Sequence, residues 1–228
     1  RLTHQPLSFS VSETTEGVHI HIIDAELMGK GEKEKKDLYI EGVQSNGIIN
    51  HYEYIINSEG TIEIRHVLKP EGKMPLWFPR IGLTLTVSDA LDQVKWYGRG
   101  PQENYPDRKT GYPTGIYAST VQAMYEPYLM PQDYGLRTDV RWLQLTTDKG
   151  IGLQFKMNEW FNFNIYPYST DNLTKAMYTY QLQKQKGMTL NLDYATTGVG
   201  CTARGVFGAY KAMPQEYRRT ISIKPMMK

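Results

Sequence analysis

A chain of 228 residues, 40% hydrophobic and 12% aromatic, can bury a large core, and a net charge of +2 with the basic residues scattered gives no reason to expect a nucleic-acid partner. Its single cysteine, Cys201, excludes an internal disulfide and a zinc site built of thiolates, which suits a reducing compartment such as the cytoplasm and leaves the periplasm open. No apolar stretch reaches the roughly eighteen residues of a membrane span, so no membrane partner is expected.

Alternation with period two, the mark of a half-buried strand, recurs along the chain. Val18, Ile20 and Ile22 alternate with His19 and His21. The charged run 30–37 mixes signs and reads as a solvated hairpin loop. Ile62, Ile64 and Leu68 share one parity while Glu63, Arg65 and Val67 take the other, and 71–75 reads as an inter-strand loop. Ile81, Leu83, Leu85 and Val87 alternate with Gly82, Thr84 and Thr86. Further runs are Ile151, Leu153, Phe155 and Met157, then Phe161, Phe163 and Ile165, then Leu190, Leu192 and Tyr194, and last Ile221 and Ile223. Between them, Ser169 or Thr170 can cap a short helix that places Leu173, Ala176 and Met177 on one face. Strands with one apolar face must cover it with a second sheet, so the prediction is an all-β fold, a large antiparallel β-sandwich with one short helix. No linker composition divides the chain, and a single domain over 1–228 is expected.

The run 96–108 is Trp-Tyr-Gly-Arg-Gly-Pro-Gln-Glu-Asn-Tyr-Pro-Asp-Arg, a mixture that no periodic element needs. Gly98 and Gly100 suggest positive φ angles, and Pro101 and Pro106 stiffen the stretch between them. Glu103 and Asp107 are the obvious carboxylate pair. Arg108 can fork onto either of them, and Asn104 can bond backbone, locking the loop and the neighbouring Arg137 segment. Alternatively Asn104, Tyr105, Asp107 and Arg108 reach sugar hydroxyls, since planar polar groups beside aromatic surface suit a pyranose ring.

This run resembles the W-x-G-x-G-P-x-E-N-Y-x-D-R signature of the C-terminal, small-chain domain of family 2 β-galactosidases. Residues 127–142 resemble the family's P-Y-x-x-P-x-E/D-x-G-x-R segment, and 193–200 its D-x-x-x-x-G-[IV]-G segment, so the likeness covers the chain from about Leu76 to its end. The resemblance implies a supersandwich like that of galactose mutarotases and a C-terminal fragment of a larger multidomain enzyme that hydrolyses terminal β-D-galactosides. It implies that the two catalytic glutamates belong to a (β/α)8 barrel in another domain, so no catalytic residue is assigned here and the chain alone is expected to be inactive. It further implies that any magnesium or sodium sits in other domains, that this chain holds no cofactor or metal, and that the full enzyme is a homo-oligomer. Within the family a tryptophan after the G-[IV]-G-G-D-x-S-W segment forms a platform for the leaving-group sugar. In the matching stretch 198–205 that position is Gly205, with Arg204 beside it, and Phe207 and Tyr210 are aromatics close enough in sequence to take the space. The candidate substrate-binding residues are therefore Asn104, Tyr105, Asp107, Arg108, Arg204 and Gly205.

Other constellations are weaker. His19 and His21 point the same way and can share a metal, but no third ligand is in view, so two exposed edge histidines is the plainer reading. His51 and His66 have no nucleophile motif beside them, and 150–152 is no phosphate cradle. Asn162, Asn164, Tyr166 and Tyr168 line either a sugar groove or simply the solvent face of a strand. Trp77, Phe78, Trp142 and Trp160 belong to the core or to a face that a larger enzyme would cover. Two alternative functions are a free-standing carbohydrate-binding β-sandwich module and a mutarotase-like aldose epimerase, the latter needing a positioned histidine acid and a carboxylate base.

Overall fold

Each alternating run falls on a strand, because residues two apart share a face and one face of each strand is apolar. The computed structural model describes residues 2–28, 46–201 and 205–227. Its elements in chain order are β1 (Leu2–Thr14), β2 (Gly17–Met28), β3 (Gly47–Ile56), β4 (Ile62–Glu71), β5 (Arg80–Val87), β6 (Gln93–Arg99), β7 (Thr114–Thr120), β8 (Arg137–Thr146), β9 (Gly152–Tyr166), α1 (Thr170–Lys175), β10 (Met188–Thr196) and β11 (Tyr217–Met226). The protein is all-β with antiparallel pairing and one short helix. The two runs at 151–157 and 161–165 merge into the single long strand β9. The charged run 30–37 lies outside the described residues.

The chain's contacts gather into two compact units, one of Arg1–Phe78 with Met213–Lys224 and the other of Pro79–Ala212 with Pro225–Lys228. In the first, β1, β2, β3, β4 and β11 pair in that order. Pro6, which has no N–H to give, sits where the register between β1 and β2 slips. Cross-strand rows show how the sequence divides the two faces. Ile20, Tyr54, Ile64 and Ile221 form one row, Asp24, Asn50, Leu68 and Tyr217 another, while His21, Glu53, Arg65 and Thr220 stand opposite one another on the other face. Buried polar groups in the apolar rows are paired: Asn50 donates to Asp24 at 2.8 Å, His66 lies 3.1 Å from the Asn50 carbonyl oxygen, and Tyr52 stacks on His66 at 4.2 Å.

His66 is only 1% exposed, and burial lowers its pKa to about 4, so it is neutral in the fold. The unfolded chain titrates it near 6.5, and so binds the proton first on acidification. The stability its neutral form confers is present above about pH 6.5 and lost as pH falls toward about 4, roughly 2–3 kcal/mol by pH 4.5. Urea denaturation between pH 7.5 and 4.5 should show this slope, and His66→Gln should flatten it. An unchanged slope in that variant would show that other groups set the acid limb.

In the second unit the order is β7, β6, β8, β9, β10, β5. Trp96, Leu143, Leu145, Phe155, Phe161, Phe163, Leu190 and Leu192 are each no more than 1% exposed and form its core. β10 is buried over its first seven residues, polar ones included, so its alternation does not mark a solvent face. The same correction applies to β9, where Asn164 and Tyr166 are both fully buried and line neither a groove nor a wet face. Helix α1 starts where Ser169 accepts the Asn172 N–H, and it buries Leu173 against Tyr134 and Tyr166. Met177 departs from the expected face and is 54% exposed, because the helix ends at Lys175. Trp77 and Trp160 are exposed, while Phe78 and Trp142 are half-buried.

Candidate functional site

The signature loop begins at the end of β6. Trp96 is fully buried, and its indole N–H donates to the Arg99 carbonyl at 3.0 Å, folding the chain back on itself. Gly98 and Gly100 do not take positive φ, contrary to the expectation; what they supply is closeness. A Cβ on Gly98 would lie 2.8 Å from the Val140 side chain, and one on Gly100 would lie 2.8 Å from the Tyr117 ring and 3.0 Å from Trp96. The Gly100–Pro101 peptide is cis.

Glu103 is the hub. Its carboxylate, 5% exposed as a residue, accepts from the Tyr105 hydroxyl at 3.0 Å and the Gly135 N–H at 2.8 Å on one oxygen, and from Arg108 at 2.8 Å and the Tyr128 hydroxyl on the other. Burial alone would raise its pKa, but the bonds from Tyr128, Gly135, Arg108 and Tyr105 outweigh it and hold the group below its ordinary 4.5. Such a carboxylate is ionised and has no lone pair to spare for moving a proton. Asn104 is fully buried; its amide donates to Gln102 O at 3.1 Å, and its oxygen accepts from the Thr138 N–H at 3.1 Å and hydroxyl at 2.5 Å. Tyr105 is 6% exposed, its ring under the Arg108 guanidinium at 5.1 Å.

The Arg137 segment is bound to the loop as its residue types suggested. Arg137, 3% exposed, donates to Gly135 O at 2.8 Å and Pro101 O at 2.9 Å and lies 5.5 Å over Trp96, and burial lowers its pKa to about 10. Two residues on, Asp139 has a φ of 55° and receives Arg99 at 2.6 Å and Lys109 at 2.5 Å.

Asp107 does not pair with Glu103 or Arg108. Its two oxygens accept the backbone N–H groups of Val199 at 3.0 Å and Gly200 at 2.7 Å, and a Cβ on Gly198 would fall within 2.3–2.5 Å of the carboxylate. The third recognisable segment is thus clipped onto the loop, and Gly198 N–H in turn donates to Tyr210 O at 2.9 Å. Gly205 is exposed, with nothing among the described residues within 4 Å of where a side chain would start, and Arg204 lies outside the described residues. Phe207 is 68% and Tyr210 39% exposed. Of the six candidate residues, Asn104, Tyr105, Asp107 and Arg108 fall within one hydrogen-bonded assembly, and Arg108, its side chain 45% exposed, is the member that reaches solvent most.

Sequence reasoning missed a buried polar network beside this assembly. Arg80 donates to Asp193 at 2.8 Å and Asn164 at 3.3 Å; Asn164 donates to Asp133 at 2.9 Å, and Asn191 donates to Asn164 at 2.8 Å and Tyr166 at 3.0 Å. Also missed is an exposed cluster in which the Arg141 guanidinium lies 4.1 Å over Trp160 and 5.1 Å over Tyr97, itself 6.4 Å from Trp142. The hint was present in the aromatic residues of β6, β8 and β9, but the shifts in the β8–β9 register around Val140, beside Arg141, leave no trace in sequence.

The family model described as "Beta galactosidase small chain" matches residues 8–223. A β-galactosidase of Priestia megaterium is 38% identical over 147 residues, 64% of this chain and 14% of that protein. One of Vibrio cholerae is 35% identical over 158 residues, 69% of this chain and 15% of that protein. The chain thus spans about a seventh of the curated relatives it matches. Among solved structures, a GalM/aldose epimerase homologue from C. elegans superposes with a TM-score of 0.44 at 12% identity, covering 96% of this chain and 69% of its own. That likeness is loose, and the antiparallel pairing described above defines the fold without it. The match over 8–223 includes the whole signature loop and both segments bonded to it, and by that match the chain belongs to the β-galactosidase small-chain family.

Proposed function

We propose that this chain is the C-terminal portion of a β-galactosidase that hydrolyses terminal β-D-galactosides, forming part of the active-site wall while a (β/α)8 barrel elsewhere in the parent polypeptide supplies both catalytic glutamates. The observation that carries the reading is the clip of Asp107 onto the Val199 and Gly200 amides, which holds the signature loop against the stretch where the family places its sugar platform. Glycoside cleavage needs two carboxyl groups facing each other across a bond, roughly 5–10 Å apart depending on stereochemistry. Glu103 is saturated by four donors and Asp107 is held by backbone, so neither is free for that work. In this wall Asn104 and Tyr105 keep the shape from inside, and Arg108 and the exposed Gly205 face the galactoside; the remaining candidate, Arg204, lies outside the described residues. The purified chain should give no turnover of nitrophenyl galactoside, and measurable hydrolysis by it would end the proposal.

The open site also makes a sharper prediction. Because nothing among the described residues lies within 4 Å of the Gly205 Cβ position, Gly205→Trp should leave stability within about 0.5 kcal/mol of wild type. In the parent enzyme it should lower KM for lactose, since a stacked ring contributes on the order of 1 kcal/mol, or about fivefold. No change in KM would place the aglycone elsewhere.

The cluster of Trp160, Arg141 and Tyr97 favours a second reading, a carbohydrate-binding module, because a largely exposed indole stacked by a guanidinium suits a sugar ring. Calorimetry with galactose and lactose separates the two. Millimolar or tighter binding by the isolated chain, lost in Trp160→Ala, selects the module.

A further inference from the structure

The polar face of the first unit brings together three groups that the sequence keeps apart. His19 and His21 are two residues apart on β2 and share a face; the register with β3 sets Glu53 directly across from His21. The Glu53 Oε1 atom lies 3.5 Å from His19 Nδ1 and 3.9 Å from His21 Nε2, and one ligand atom from each residue lies within 4.8 Å of the others. The remaining carboxylate oxygen, Oε2, is held by Arg65 at 3.1 Å, so Oε1 is the one presented to the imidazoles. Arg65 is shared with Glu63 at 2.8 Å, which leaves this patch with a net negative charge when both histidines are neutral.

We propose that His19, His21 and Glu53 form a binding site for a divalent transition-metal ion of the zinc class. Two imidazoles and a carboxylate are a borderline N/O donor set, suited to zinc, cobalt or nickel more than to calcium or magnesium. Zinc bonds to such ligands at about 2.0–2.2 Å, and tetrahedral geometry then sets ligand atoms about 3.4 Å apart. The two contacts to Oε1 already stand at 3.5 and 3.9 Å. The His19 side chain is 13% exposed and packed, with its Nε2 buried and without a hydrogen-bond partner among the described residues, so the ring is seated with Nδ1 toward the carboxylate. His21, with 52% of its side chain exposed, has the freedom to close the remaining gap and leaves a solvent side where water completes the shell. Across from these residues on β1 stand Ser12 and Ser10, whose small side chains do not cover the face.

The site lies in a different unit from the signature loop, so its fate is independent of the galactoside reading. Titrating zinc into the 228-residue chain, with cobalt as a spectroscopic stand-in, tests it. One ion per chain is expected, with cobalt absorption of tetrahedral or five-coordinate type. His21→Ala, a substitution at a half-exposed side chain, should weaken binding at least about tenfold, the double change His19→Ala with His21→Ala should abolish it, and His51→Ala should leave it unchanged. No binding at millimolar zinc would overturn the proposal. So would equal binding by the double variant, or a loss in His51→Ala or Cys201→Ser in place of His21→Ala.

Discussion

Glu103→Ala should destabilise the chain by about 3–5 kcal/mol, measured by urea denaturation at neutral pH with the buried Trp96 as the fluorescent reporter. The size follows from what the carboxylate serves. Its removal strands the Tyr105 hydroxyl and the Gly135 N–H in a buried space, leaves the half-buried Tyr128 hydroxyl without this acceptor, and takes from Arg108 its only carboxylate partner among the described residues. Glu103→Gln is the informative control. It keeps the shape but turns an NH2 toward groups that also donate, so it should recover less than half of the loss. The sign of the pH effect is fixed as well: with the folded pKa depressed, the carboxylate's contribution is present above its unfolded value near 4.5 and fades as pH drops through the folded one. The gap between wild type and Glu103→Gln should therefore narrow in acid. A loss under about 1 kcal/mol for Glu103→Ala would show that the loop is held by its backbone and prolines instead.

Much of the fold could be read from period-two alternation, because β5 and β10 each carry a continuous apolar parity, and β2, β4 and β11 carry one over part of their length. What alternation could not show is how deeply the polar parity is buried. Thr189, Asn191 and Asp193 look like a wet face, yet all three are at most 5% exposed, because side chains from distant strands meet their polar atoms. Those partners are fixed by register and lie far off in sequence: Arg80 is 113 residues from Asp193, and Thr84 is 107 from Asn191. The signature loop was recognisable as a built object, and its Arg108 to Glu103 pair was among the anticipated pairings. The role of its glycines was misjudged since close approach to Val140 and Tyr117 depends on tertiary packing, whereas the φ preference of glycine is local. Likewise His19 and His21 were visible as a pair, but their third neighbour Glu53 belongs to another strand and enters only through the β2–β3 register.

The buried pair of Arg80 and Asp193 supports the second large prediction. The Asp193 side chain is 2% exposed, and its burial pushes the carboxyl up to about 6 even with Arg80 at 2.8 Å, while Asp133 nearby pushes it the same way. Taking away the guanidinium leaves a charge with no counter-ion inside the protein, so Arg80→Met should cost about 3–5 kcal/mol at pH 7.5. A folded pKa above the unfolded value near 3.8 means that the fold holds this proton more tightly than the unfolded chain does. The group's contribution is therefore most favourable in acid and is lost as pH rises through about 6. Without Arg80 the carboxyl titrates higher still, and the deficit of Arg80→Met should shrink steadily as pH is lowered from 7.5 toward 5, where the lone carboxyl takes up its proton. Lost packing alone would give a deficit independent of pH. Adding Asp193→Asn to Arg80→Met should restore at least half of the stability at pH 7.5, since the amide removes the charge while keeping the acceptor for Thr196, now 3.3 Å away. A double variant no better than Arg80→Met, with a deficit flat in pH, would mean that the guanidinium matters for its contacts with Asn164 and Asp133 and not for the charge it neutralises.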